Sequence, residues 1–335
     1  MACGMSCVDL QSDAKNCGTC GHDCLGGQCT TGKCQPITIT TGQTAVSSLA
    51  VDATSIYWTR TGGQGSTVNK ANLDGSNVVT LYTSAYCSDI VVDAQNAYFH
   101  CNTTIYRCAI GGCNMQPTAV GGPFANNVAG LAIDSANNRL YFTIGTPYNS
   151  SSGGFIASLP IPNGGAYVRL VPADQPSPSS IRIQNGSVFW LNSGVYVNDN
   201  PLNNGGLKKA PLGINQQETV VGTDTGTTDE YGLALDANTA FWGGGSLPQV
   251  RTVSLGGGSP TMFVNAGGSV SGVVVDAPDV WYAETTAGSV RRCNKGNCTP
   301  VIVASGQGAP YSIIQDAVSV FWGNYTGGEI RRLAK

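Results

Sequence analysis

A short phrase occurs seven times along the 335-residue chain and constrains its fold more than any other feature. The first copy, VDATSIYWT at positions 51–59, is a strand end, an acidic turn residue and an aromatic pair. Counted from the turn residue, successive copies lie 41, 41, 50, 52, 40 and 40 residues apart. The aromatic pairs are Tyr57-Trp58, Tyr98-Phe99, Tyr141-Phe142, Phe189-Trp190, Phe241-Trp242, Trp281-Tyr282 and Phe321-Trp322. A fixed period of this length indicates a repeat architecture.

Each repeat contains four short runs typical of β-strands. In the first repeat they cover 48–51, 56–60, 67–73 and 78–82, with Gly, Asn, Asp and Ser between them. The 45 glycines and the low charged fraction of 11% favour tight turns over long helices. Four strands per repeat at this period is the signature of a β-propeller blade. The sequence therefore predicts an all-β, seven-bladed β-propeller over residues 37–335.

The phrase and the chain ends explain how such a ring is held together. A short acid such as Asp52 accepts backbone N–H groups in the turn, and the aromatic pair then packs between neighbouring blades. The last repeat, ending at 329–335, supplies only a third strand, and residues 37–41 can supply the missing fourth. This N-terminal closing strand removes the open sheet edge.

Residues 1–36 form a separate, cysteine-rich segment. It holds seven of the 13 cysteines and too few aliphatic residues for a core, so disulfides must replace one. We predict three bridges, of undetermined connectivity, among six cysteines: Cys7, Cys17, Cys20, Cys24, Cys29 and Cys34. Cys3 is then left over as a lipid-anchored residue, the partner of a missing cysteine, or a free thiol. Zinc binding by Cys17, Cys20 and His22 is the alternative.

The remaining cysteines indicate an extracellular setting. The C-x4-C pairs Cys108/Cys113 and Cys293/Cys298 would each bridge one hairpin, and Cys87 and Cys101 would bridge two paired strands. So many cysteines predict a secreted or cell-surface protein.

The net charge of -3 without a basic cluster argues against nucleic-acid partners. No run is apolar enough for a transmembrane helix, and the oligomeric state is open.

Two segments resemble known families. Tyr57-Trp58-Thr59 with NKANLDGSN at 69–77 resembles the YWTD repeats of lipoprotein-receptor type, which implies a propeller, although such propellers usually have six blades. The segment CVDLQSDAKNCGTCGHDC at 7–24 resembles short Cys-rich modules of bacterial surface proteins, which implies location rather than chemistry.

Function is expected on one face of the ring. Loops between the second and third strands, and between successive blades, converge around the central channel. We expect a non-enzymatic binding protein that recognises a protein or carbohydrate through this face, without a required cofactor. Its candidate residues are Arg60, Asp89, His100, Asn192, Asp229, Glu230, Tyr231, Glu284, Tyr311 and Asn324.

Two alternatives remain open. VWYAE at 280–284 resembles a strand of the seven-bladed streptogramin lyases, which implies a divalent cation, with His100 as general base and Glu284 as metal ligand. The chain has only one other histidine, His22, so the second histidine of such a site is missing. A structural subunit of an extracellular assembly is the other alternative. We expect Asp9, Asp13 and Asn16 to cap turns rather than to bind Ca²⁺.

Overall fold

The structure, a computed structural model, is a ring of seven four-stranded antiparallel sheets. It describes all residues except 1, 4–5, 63–64, 147–151, 194–195, 198–199, 202–204, 225–230 and 244–247. The predicted all-β, seven-bladed propeller is confirmed. Among the described residues, no helix is long and apolar enough to cross a membrane.

Each blade runs from an innermost strand on the channel to an outer strand at the rim. The innermost strands of blades 1 to 7 are Val46–Val51, Cys87–Val92, Val128–Asp134, Pro178–Gln184, Tyr231–Leu235, Val270–Asp276 and Pro310–Gln315. The second strands are Ser55–Arg60, Asn96–Cys101, Arg139–Ile144, Ser187–Asn192, Thr239–Gly243, Asp279–Glu284 and Ser319–Asn324. The third strands are Ser66–Asn72, Thr104–Ala109, Phe155–Pro160, Gly205–Pro211, Gln249–Ser254, Ser289–Asn294 and Ile330–Ala334. The outer strands are Val79–Ser84, Thr118–Gly121, Val168–Arg169, Thr219–Asp224, Thr261–Asn265, Val301–Ala304 and, closing blade 7, Ile37–Thr40.

The ring closes as predicted, because the N-terminal strand completes the C-terminal blade. Ile330 pairs with Thr40, and Arg331 pairs with Thr38. Ile39 is buried in the cluster that contains Trp58 and Ile330, so both chain ends share one core. Closure covers the edge of Ile330–Ala334 with the N-terminal strand.

The repeated phrase acts as the sequence predicts. Asp52 Oδ1 accepts the N–H groups of Thr54 and Ser55 at 2.7 and 2.8 Å, and Tyr57 donates to Asp52 Oδ2 at 2.8 Å. Asp93, Asp236 and Asp316 accept two backbone N–H groups each in the same turn. The aromatic pairs lie buried between blades, and Trp58, Trp190, Trp242 and Trp322 are fully enclosed.

The N-terminal module adds two short hairpins, and blade 4 carries a third in its loop. In the module, Ala2–Cys3 pairs with Ser6–Cys7, and Cys29–Thr30 pairs with Lys33–Cys34. In blade 4, Tyr196–Val197 pairs with Asn200–Pro201. The module cysteines Cys17, Cys24, Cys29 and Cys34 share a buried cluster with Trp281 and Trp322, so the module packs against blades 6 and 7.

One disulfide assignment is wrong. The module bridges are Cys3–Cys20, Cys17–Cys29 and Cys24–Cys34, and the unpaired, exposed cysteine is Cys7 rather than Cys3. The register pairs Ala2 with Cys7 and Cys3 with Ser6, which puts Cys3 and Cys7 on opposite faces of their hairpin. Because its thiol is in a disulfide, Cys3 has no sulfur left for a lipid anchor. In the propeller, Cys87 is bonded to Cys101, Cys108 to Cys113 and Cys293 to Cys298.

Candidate functional site

The central channel forms a cavity with a volume of about 1060 Å³. It follows the innermost strands from Ser47 and Ser88, near the loop face, to Val51 and Val92 at the opposite end. Tyr86, Tyr311 and Tyr325 line its mouth, and the rings of Tyr311 and Tyr325 are 5.6 Å apart. A concave site of this size suits a small or medium-sized ligand.

Among the described residues that line the channel, the charged side chains are Asp89 of blade 2 and Arg182 of blade 4. Asp89 sits in a β-bulge with a φ of 27° and accepts hydrogen bonds from Ser48 Oγ at 2.9 Å and Leu131 N at 2.7 Å. Asp89 therefore joins the innermost strands of blades 1, 2 and 3. Enclosure by protein raises the pKa of Asp89, and the positive charge of Arg182 opposes that rise.

The Arg182 side chain is exposed to the channel. Its Nη1 donates to the carbonyl of Ile181 at 2.8 Å, and no carboxylate among the described residues forms a direct ion pair with it. The surrounding wall lowers the pKa of Arg182, and Asp89 opposes that effect. An arginine guanidinium stays charged at neutral pH, because its ordinary pKa lies far above 7.

Among the candidate residues whose side chains the structure describes, Asp89 and Tyr311 line this cavity and the others do not. Arg60 instead donates its Nε–H to the carbonyl of Thr44 at 2.9 Å and ties two loops together. Asp229 and Glu230 lie outside the described residues, and Tyr231 is described only as the start of the innermost strand of blade 5.

His100 is buried, with 1% of its surface exposed, and neither ring nitrogen has a hydrogen-bond partner among the described residues. Burial penalises the imidazolium and lowers the pKa of His100 to about 4. A neutral base of this pKa, which does not line the channel, is poorly placed to abstract a proton from a ligand there.

Glu284 is also fully buried, so it is neither the exposed metal ligand nor the solvated loop carboxylate that its position suggests. It accepts hydrogen bonds from the Gly267 N–H and the Arg291 Nε–H, both at 2.7 Å, and from the Ser289 hydroxyl. Three protein donors already neutralise and orient the carboxylate. This geometry argues against the roles of general base for His100 and metal ligand for Glu284.

Asn192 and Asn324 belong to a hydrogen-bond network that sequence reasoning missed. In blades 1, 4 and 7 the aromatic pair between blades, here called the wedge, contains a tryptophan whose indole N–H donates to a glutamine fifteen residues earlier in the chain. The pairs are Trp58 with Gln43, Trp190 with Gln175 and Trp322 with Gln307. In blades 4 and 7 the same glutamine oxygen also accepts from Asn192 or Asn324. These asparagines hold the loops around the mouth and are buried away from it.

The module contains the one group of possible metal ligands found in the described part of the chain. The sulfurs of Cys17, Cys24 and Cys34 lie within 4.8 Å of one another, but all three are in disulfides. Asp9 accepts from Gln11 N and Ser12 Oγ, and Asp13 accepts from Lys15 N and Asn16 Nδ2. These carboxylates cap turns, as expected.

No family model and no curated protein matches the chain. Among solved structures, it resembles a virginiamycin B lyase from Staphylococcus aureus with a TM-score of 0.69 and 14% identity, over 90% of this chain and 98% of that one. A chain of a nidogen/laminin complex matches with a TM-score of 0.54 and 16% identity, over 72% and 89%. The Pan2 WD40 domain of Neurospora crassa matches with a TM-score of 0.66 and 9% identity, over 90% and 94%. At these identities the likeness supports the β-propeller fold alone.

Proposed function

We propose that this protein is an extracellular recognition protein that binds carbohydrate at the mouth of the propeller channel. The observation that carries the proposal is the cavity of about 1060 Å³, whose mouth presents Tyr86, Tyr311 and Tyr325 beside serine hydroxyls. Aromatic rings stack on the apolar faces of sugars, and hydroxyls exchange hydrogen bonds with their polar edges. Six disulfides suit an oxidising, extracellular compartment.

The concave shape favours carbohydrate over protein recognition. Specific protein interfaces bury on the order of 800 Å² per partner, usually across broad surfaces, whereas a recessed channel encloses a narrow chain or a single residue. A lyase or hydrolase remains the competing function. It has less support, because His100 and Glu284 are buried and do not line the cavity.

A glycan array probed with the purified full-length chain tests the proposal. Tyr325 is 38% exposed at the mouth, and Tyr325→Ala should abolish glycan binding by removing one ring of the pair. Tyr167 is 45% exposed but does not line the channel, so Tyr167→Ala is the matched control and should bind like the wild type. Equal binding by Tyr325→Ala, or capture of proteins but no glycan, would contradict the proposal.

Metal analysis separates recognition from the lyase alternative. A stoichiometric divalent ion that is lost in Glu284→Gln, without loss of folding, would favour the enzyme. Glycan binding that persists in a chelating buffer would favour recognition.

A further inference from the structure

Arg182 occupies a level of the channel where every other blade has an apolar residue. In each blade, one residue of the innermost strand pairs with the first aromatic of the wedge, as Arg182 does with Phe189. The equivalent residues are Ala50, Val91, Ala132, Ala234, Val274 and Ile314. Ala50, Val91, Ala132 and Ile314 line the cavity with Arg182, so a single cation stands among apolar side chains at this level.

Charge is costly at such a position unless it serves a purpose, because an aliphatic side chain completes this level in six blades. The one hydrogen bond that Arg182 makes within the described protein uses Nη1 and its neighbouring carbonyl, at 2.8 Å. Arg182 is exposed and lines the cavity, and the Asp89 carboxylate in the same cavity lies close enough to interact with its charge. The parallel N–H groups of the planar guanidinium match the two oxygens of a carboxylate.

Hydroxyl groups lie between this cation and the mouth. Ser180 precedes Arg182 by two residues on the same strand, a rise of about 7 Å, and lines the cavity with Ser88 and Ser312. The Tyr311–Tyr325 pair lies beyond them at the entrance. From the inside outward, the channel thus offers an anion-binding group, then hydroxyls together with the Asp89 carboxylate, which Ser48 and the Leu131 N–H already engage, and then aromatic rings.

We propose that the ligand is an acidic sugar, with its carboxylate held by Arg182, its hydroxyls near Ser180 and Ser312, and the following residue stacked on Tyr311 and Tyr325. This inference rests on the proposed carbohydrate recognition and names the substrate class for the same site. A uronic acid combines a carboxylate with several hydroxyls and an apolar ring face, which are the three features that this channel presents in order.

Isothermal titration of the full-length chain with D-glucuronate, D-glucose and acetate tests the inference. Glucuronate should bind at least tenfold more tightly than glucose, since glucose lacks the carboxylate, and more tightly than acetate, which lacks the ring. This comparison needs no variant, so it stands even if substitutions disturb folding. Equal affinities for glucuronate and glucose, or for glucuronate and acetate, would overturn it.

Two variants locate the carboxylate. Arg182→Gln should weaken glucuronate binding at least tenfold, and Arg182→Lys should have a smaller effect because the charge remains without the planar fork. Arg107→Gln, on the third strand of blade 2 away from the channel, is the matched control and should bind normally. If glycan binding is lost in Tyr325→Ala but glucuronate binding is unchanged in Arg182→Gln, carbohydrate recognition stands and the acidic-sugar inference fails.

Discussion

Arg291 donates its Nε–H to Glu284 at 2.7 Å, from the third strand of blade 6 to the second. Glu284 has no exposed surface, whereas the Arg291 side chain is 25% exposed. The Gly267 N–H and the Ser289 hydroxyl complete the set of donors around this carboxylate. Removal of Glu284 would leave three polar groups without their acceptor.

Glu284→Ala should therefore destabilise the propeller by about 3 kcal/mol, measured as the loss in free energy of unfolding in urea. Asp279→Ala in the same blade is the control. Its contact with Arg292 is 3.6 Å long and that arginine is 42% exposed, so the loss should stay below about 1 kcal/mol. If Glu284→Ala were as stable as the wild type, the carboxylate would have a role other than structural.

His100 makes stability depend on pH. Its pKa falls from 6.5 to about 4 on burial, so the unfolded chain binds the proton more readily between these two values. The contribution is fully present above pH 6.5 and is lost as the pH falls toward 4, by about 3 kcal/mol in total. His100→Leu should flatten this part of the pH profile, because leucine does not bind a proton. Leucine should also fit the site, since blade 4 has the buried Leu191 at the equivalent position. An unchanged slope in His100→Leu, measured by urea unfolding across this pH range, would contradict this account.

Among Gln43, Gln175 and Gln307, which accept the tryptophan N–H groups, Gln175 accepts the most hydrogen bonds. Its Oε1 lies 3.2 Å from each of three donors, on Trp190, Asn192 and Lys208, whereas Gln43 Oε1 accepts from Trp58. Each buried donor left unpaired costs about 1 kcal/mol or more. Gln175→Ala should lower the free energy of unfolding by at least about 1 kcal/mol more than Gln43→Ala. Equal losses from the two variants, measured in urea, would contradict this account of the network.

The fold was predictable because its determinants are local and repeated. A turn residue, which is Asp in six blades and Gln184 in blade 4, recurs with an aromatic pair in each blade, and each copy specifies one turn and one wedge. The glutamines could also have been found, since Gln43, Gln175 and Gln307 all precede a wedge tryptophan by fifteen residues. Aligning the repeats would likewise have shown Arg182 against six apolar residues.

Burial at the loop face was harder to predict. His100 and Glu284 end their strands where side chains commonly reach solvent, yet both are enclosed by neighbouring segments. That enclosure depends on contacts such as Gly267 with Glu284, and Gln175 with Asn192, between residues 17 positions apart. Spacing within one strand carries no information about them.

The disulfide assignment predicts one reactive thiol for each folded chain. Cys7 is unpaired and exposed, whereas the other twelve cysteines form six bonds. A thiol titration of the native protein should count one group, and Cys7→Ser should count none. Cys3→Ser should raise the count to two, because Cys20 loses its partner. A wild-type count of one that persists in Cys7→Ser would mean that another cysteine is free.

Ile39 determines how firmly the ring is closed. It is 7% exposed on the N-terminal strand and packs in the cluster of Trp58, Phe321 and Ile330, which combines blades 7 and 1. Ile39→Ala should lower the free energy of unfolding by about 2 to 4 kcal/mol, since the cavity lies where two chain ends meet. Thr38 is exposed on the same strand, so Thr38→Ala should cost less than about 0.5 kcal/mol. A weakened closure also exposes the edge of Ile330–Ala334, and Ile39→Ala should form more aggregates on heating than Thr38→Ala. Equal stability of the two variants would show that the N-terminal strand does not latch the ring.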